Sequence, residues 1–173
     1  MVENGSFGLK DTSSLLKSKQ DIVKGISEQE VIVDIGFDYK PVVKERLRKH
    51  GLSFKDEELD FFEIAKQHEG SQAQYLLEQM IDQHWVFLSH LQKERKTSEH
   101  LHNVPVEEFY DPLAGVVTLF IDGKEHELSK AKGPLIVAAG QFHQLQTDGS
   151  STLNLIIMKN SAGIPRERLH IRR

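Results

Sequence analysis

His100 and His102 stand one residue apart, two glutamates (Glu107 and Glu108) follow, and a third histidine, His143, comes soon after Gly140. Side chains at i and i+2 of a β-strand point to the same face. On a strand, both imidazoles therefore turn toward one point. A carboxylate from the next strand and a third imidazole from a later one then complete a shell around a single ion. Histidine plus carboxylate, with positions left open, is the donor set of a divalent first-row metal: Fe, Mn, Ni or Zn. The pattern says more about a site than about a substrate.

Strands must hold such a site, and the chain changes character near His84 to provide them. Short β-type runs separated by turns follow: Trp85–Gln92, Glu99–Asn103, Glu108–Tyr110, Val116–Asp122, His126–Leu128, Leu135–Ala138, His143–Thr147 and Leu153–Lys159. Asp122-Gly123 and Asp148-Gly149 predict hairpins, because both central positions of a type I′ turn need positive φ. Many short strands favour a sandwich or a barrel. The first part reads differently. Residues 1–20 read as a polar arm, Val31–Ile35 as a short strand, and residues 38–82 as mainly helical. Pro41 looks like a first helical residue, and Gly51 like a stop. Ser53 with Asp56 and Ser71 with Gln74 resemble capping boxes. Leu76, Leu77, Met80 and Ile81 continue a helical stripe. The organisation expected is an arm and helical extension over 1–83 and a β-barrel over 84–173. The tail from Ile164 reads as a solvated end.

Composition bounds the function. The chain has 173 residues, 38% hydrophobic and 28% charged, as in one ordinary globular domain. Its formal net charge of −4, with both signs mixed, argues against a nucleic-acid partner. There is no cysteine, so disulfides, thiolate-bound zinc and a thiol nucleophile are excluded. No apolar run approaches a membrane span of roughly 20 residues or a signal peptide, so the expected location is cytoplasmic. No Ser-His-Asp pattern, phosphate loop or dinucleotide fingerprint is present.

The segment from His84 to Lys159 resembles the cupin superfamily of small β-barrels. The family's first motif is a His-x-His pair, a Glu some four residues later and a Gly six residues beyond that. Here the pair is His100-Leu101-His102, and Gly115-Val-Val-Thr-Leu-Phe-Ile-Asp-Gly123 is similar to the family's strand and hairpin. The second motif, Pro-x-Gly-x-x-His, is matched by Ala138-Ala139-Gly140-Gln141-Phe142-His143. Its Pro is absent, and Thr147 replaces an Asn that often follows. The resemblance implies a mainly β, double-stranded β-helix (jelly-roll) barrel. It also implies a metal held by His100, His102, His143 and one glutamate. Counting from His102 selects Glu107; counting back from Gly115 selects Glu108. An extra residue in the turn 103–106 favours Glu108, since loops absorb insertions better than paired strands do. A bulge at Pro112 would restore Glu107.

Four protein ligands leave two octahedral positions for water, dioxygen or a bidentate substrate, which suits Fe, Mn or Ni. Tyr110, two residues past Glu108, would then point into the pocket as a hydrogen-bond donor. Trp85, Phe87 and Ser89 share one strand face, with Val86, Leu88 and His90 on the other, and either set lines the cavity. The leading expectation is a metal-dependent oxygenase acting on a small polar molecule. The alternatives are a non-catalytic sensing or binding cupin, and a sugar or keto-acid isomerase. Small cupins commonly pair, so a homodimer is expected, with the arm 1–20 and the strand near Val31 as the pairing elements.

Overall fold

The computed structural model describes residues 25–102, 107–159 and 171–172. Helix α1 (Glu28–Ile35) stands where Val31–Ile35 predicts a strand. Its first turn overrides the β-branched composition. Ser27 Oγ accepts from the Glu30 amide at 3.2 Å, and Glu30 Oε2 accepts from the Ser27 amide at 2.6 Å. Two otherwise orphaned donors are thereby satisfied. Gly36, at φ 87°, ends the helix. The pairing edge expected near Val31 is therefore absent; the arm 1–20 lies outside the described residues.

Helix α2 (Tyr39–Lys49) buries Tyr39, Val43 and Leu47, one per turn. Asp38 caps it, and Pro41 occupies the third rather than the first helical position, still among the amides that need no intrahelical acceptor. The predicted helical reading of 38–82 stops at Lys49. Ser53 with Asp56 and Ser71 with Gln74 open no α-helix; a short 3-10 turn covers Asp56–Glu58. Strands β1 (Lys66–Gln67) and β2 (Gln74–Ile81) follow. Leu76 and Leu77 are both fully buried because the register of β2 on the next strand shifts between Tyr75 and Leu77. Such a bulge places two successive side chains against apolar surface and imitates a helical stripe.

The remaining strands are β3 (His84–Leu91), β4 (His100–Leu101), β5 (Glu108–Ala114), β6 (Val117–Ile121), β7 (Lys124–Leu128), β8 (Leu135–Val137), β9 (His143–Gln146), β10 (Thr152–Lys159) and β11 (Ile171–Arg172). They form two antiparallel sheets, in the orders β1-β2-β3-β10-β5-β8 and β11-β4-β9-β6-β7. The tail thus returns to pair with β4. Asp122-Gly123 turns the β6–β7 hairpin with both φ positive, as predicted. Asp148-Gly149 does not make a hairpin: β9 pairs with β4 and β6, and β10 with β3 and β5, so this segment crosses between sheets. The turn between β2 and β3 uses Asp82 and Gln83 at φ 48° and 61°, a positive-φ pair without glycine.

Two apolar clusters result. One joins α1 and α2 to the outer face of the six-stranded sheet through Val31, Val43, Leu47, Val86, Leu88 and Leu155. The other lies between the sheets and contains Phe87, Tyr110, Leu119, Leu145, Ile156 and Met158, with Trp85 packed on it. The Trp85/Phe87 face of β3 therefore lines the barrel, and the Val86/Leu88/His90 face meets the helices. His90 Nε2 lies 2.8 Å from Asp34 Oδ2 of α1, which ties that helix down. Among the described residues no helix is long and apolar enough to cross a membrane.

Gly115, the anchor of the first motif, holds φ 73°, and a Cβ there would stand 2.2 Å from the Ser151 carbonyl oxygen. Gly115→Ala is expected to cost more than about 2 kcal/mol, from strain and clash together. Urea unfolding checks this as a lower midpoint at unchanged slope.

Candidate metal centre

Three strands deliver the site. His100 lies on β4 and His143 directly opposite it on β9. His102 follows β4, and its carbonyl accepts from the Gly140 amide at 2.9 Å. The first His pair and the second motif are thereby locked to each other. Gly140 makes the turn at φ 79°, and Ala138, in the proline's place, uses its amide to donate to Gln141 Oε1 at 2.9 Å. Thr147, in the place of the expected Asn, is buried. Its hydroxyl donates to the Gln92 carbonyl at 2.5 Å and accepts from the Arg95 amide at 3.1 Å. The departures from the motif serve loop closure.

Glu108 opens β5 and is 3% exposed, with its carboxylate inside the cluster. Glu107, its alternative, is exposed and lies outside the cluster. A bulge does occur in β5, since Asn154 pairs with Pro112 and Leu153 with Ala114. It falls at Leu113, past Pro112, so Glu108, Tyr110 and Pro112 stay in one alternation and Glu107 is not restored. The turn 103–106 lies outside the described residues.

One donor atom from each of His100, His102, Glu108 and His143 falls within 4.8 Å of the others. Trans ligands on one ion with bonds of about 2.1 Å stand about 4.2 Å apart, so the four suit a single cation. The ring centroids of His100 and His143 are 4.2 Å apart. Two backbone carbonyls set the tautomers. His100 Nδ1 is 3.1 Å from the Ser98 oxygen, and His143 Nδ1 is 2.9 Å from the Gln141 oxygen. A carbonyl only accepts, so each Nδ1 carries the proton and each Nε2 presents a lone pair. These carbonyls escape motif reading, although each lies two residues before its histidine.

His143 Nε2 is buried without a hydrogen-bond partner, yet sits 2.7 Å from Glu108 Oε2. A contact that short is bridged by a cation, either a proton or a metal ion. His102 Nε2 is 2.8 Å from the same oxygen. This donor set fits a divalent ion.

Electrostatics agrees. Burial pushes His100 down to about 4, against the pull of Glu108 and with His143 and His102 adding to the push. Burial alone would raise the Glu108 carboxyl, but the His143 and His102 imidazoles hold it well below the ordinary carboxylate range. Because the folded value of His100 is depressed, the unfolded chain binds more protons between about pH 6.5 and about pH 4. Stability must fall as pH falls through that window. Chelator-treated protein is expected to lose about 3 kcal/mol across it from this residue, read by denaturant titration at each pH.

Tyr110 is 2% exposed and its ring lies 6.2 Å from that of His143. Burial first, then the Glu108 charge and the neighbouring Tyr75, hold its phenol proton in place. Tyr110 thus sits beside the cluster, with its phenol hydrogen-bonded to Glu108.

No family model and no curated protein matches the sequence. Among solved structures the fold is similar to CapF with the inhibitor 3-isopropenyl-tropolone (TM-score 0.50, 12% identity), over 69% of this chain and 35% of that one. It is similar also to a sugar phosphate isomerase from a cupin superfamily from Silicibacter pomeroyi DSS-3 (TM-score 0.49, 18% identity, 63% of this chain and 76% of that one). A third is an uncharacterized protein with a double-stranded β-helix domain from Klebsiella pneumoniae subsp. pneumoniae (TM-score 0.46, 14% identity, 56% of this chain and 78% of that one). At these identities the likeness concerns the fold.

Proposed function

On the cupin fold that this chain has, we propose a metal-dependent enzyme that acts on a small polar molecule bearing oxygen donors. The observation that carries the reading is the convergence of His100, His102, Glu108 and His143, each offering one donor atom within 4.8 Å of the others. His100, His102, Glu108 and His143 would hold the ion. When bound, it supplies Lewis acidity or redox chemistry. The chain's own groups do the rest. Ser98 and Gln141 carbonyls keep the imidazoles aimed, Phe87 and Met158 exclude water, and Tyr110 offers a proton or a hydrogen bond to substrate oxygen.

Two chemistries fit. Oxygenation would draw on redox chemistry of the ion that His100, His102, Glu108 and His143 would hold. Isomerisation would instead need the ion as a Lewis acid toward substrate oxygens, with Tyr110, which keeps its proton beside the cluster, as a hydrogen-bond donor to them. The test is metal analysis of protein purified without chelator, followed by oxygen uptake across diols, thiols and keto acids. Bound iron with substrate-dependent uptake supports oxygenation. Bound metal with turnover and no uptake supports isomerisation. Protein that binds no divalent ion overturns both.

A further inference from the structure

Away from the metal cluster, one histidine sits wholly inside the joint between α1 and the six-stranded sheet. His90 is 0% exposed, on the face of β3 that meets the helices. Its Nε2 lies 2.8 Å from Asp34 Oδ2, near the C-terminal end of α1. An ionised carboxylate only accepts, so Nε2 carries the ring proton and Nδ1 is a bare lone pair. Strand register sets what else faces the ring. β2 offers Gln74 and β10 offers Leu153, since cross-strand partners share a face. Gln74 Nε2 is committed to Gln67 Oε1 at 2.8 Å. Gln74 Oε1 and His90 Nδ1 are both buried without a hydrogen-bond partner among the described residues. Asp34 is the charged group whose field acts on the ring. The other acids of α1 are engaged elsewhere, Glu28 with Lys40 and Glu30 with the Ser27 amide. Helix α1 itself is lightly held. It has 8 residues, Val31 is the one it buries fully, and Val33 is 80% exposed.

We infer that His90 makes α1 an acid-released latch: when its imidazole takes a second proton, the helix leaves the sheet while the barrel stays folded. In the docked state that proton lands on Nδ1, where no acceptor stands, and its charge is shut away from water. Asp34 offsets part of this by pairing with the imidazolium, but burial outweighs it and holds His90 below the ordinary histidine value. Once α1 lifts, Nδ1 meets water and the ring takes its proton at about 6.5. Below that value the released state binds more protons than the docked one, so acid favours release and neutral pH favours docking. A helix this short has no stability of its own, so it frays as it leaves. Elements with few buried contacts open as separate units, below the free energy at which the core opens.

Amide hydrogen exchange of the full chain at about pH 7.5 and about pH 5, corrected for the intrinsic rate, tests the latch. The reporters are the α1 amides, among them Val31 and Gly36, which donate to the Ser27 and Ile32 carbonyls. Their protection is expected to fall at least about 5-fold, under a ceiling of about 30-fold set by a free imidazole. Amides of β3 and β10 are expected to stay better protected than those of α1 at both values. His90→Gln keeps a donor for Asp34 but takes up no proton. Its α1 protection is expected to change less than about 2-fold over the same range, while losses that come from His100 persist. Asp34→Asn removes the charge that favours the docked imidazolium and is expected to deepen the acid-driven fall toward the ceiling. Equal falls in parent and His90→Gln overturn the inference. So does α1 protection that holds steady in the parent, or that is lost together with β3 and β10. Should His90→Gln fail to fold, Asp34→Asn decides, and a fall no deeper than the parent's overturns the latch.

Discussion

His143→Ala is expected to leave the protein with at least 100-fold weaker metal affinity, while its metal-free form still folds. Removing even an outer partner of a metal-bound histidine costs 10–100-fold, and this change removes a donor outright. The imidazole lost is the one that the Gln141 carbonyl orients through Nδ1. His102→Ala is expected to behave alike, because its Nε2 meets the same Glu108 oxygen. Metal content after dialysis, with a fluorescent chelator as competitor, measures the loss. Glu107→Ala is the internal control and is expected to bind as the parent does, since its side chain is exposed. Parent-like loading by His143→Ala would remove the ligand set.

The second large effect lies on the opposite face of the strand that bears Glu108. Asp111 is 1% exposed. Its two oxygens accept from Arg46 Nη1 at 2.9 and 3.1 Å, and His50 Nε2 lies 2.8 Å away. Both partners come from the end of α2, so this ion cluster fastens the helix to the sheet. Breaking a buried pair from one side leaves a charge without compensation, at about 3–5 kcal/mol. Arg46→Met is expected to destabilise the protein by about 3 kcal/mol, toward the lower end because His50 remains. The double variant Arg46→Met with Asp111→Leu is expected to recover most of that loss, since apolar replacement of a buried pair is often neutral. Thermal unfolding of the two variants provides the comparison. The metal content of the double variant is expected to match the parent's, because Asp111 points away from the cluster.

The barrel and its cluster were legible because their signal is local. His-x-His and Gly-x-x-His fix direction over a few residues, and the Asp122-Gly123 turn has one conformation open to it. What failed to read was tertiary. The bulge at Tyr75–Leu77 gave β2 the adjacent buried leucines of a helix. The capping box at Ser27–Glu30 overrode the strand composition of Val31–Ile35. The Asp82–Gln83 turn takes positive φ without glycine, and so shows no composition cue. Glu107 and Glu108 stayed open because the decisive quantity was strand pairing, not residue type.

Two consecutive glutamates at the head of β5 pose a hazard of misalignment. A strand displaced by one residue would offer Glu107 to the histidines as a decoy, with identical charge and reach, and the cluster alone would not reject it. Asp111 does. The same displacement would drag its carboxylate away from Arg46 and His50 into the apolar lining between the sheets, where an unpaired charge costs several kcal/mol. The anchor on the outside of the barrel thus acts as a proofreader for the donor on the inside.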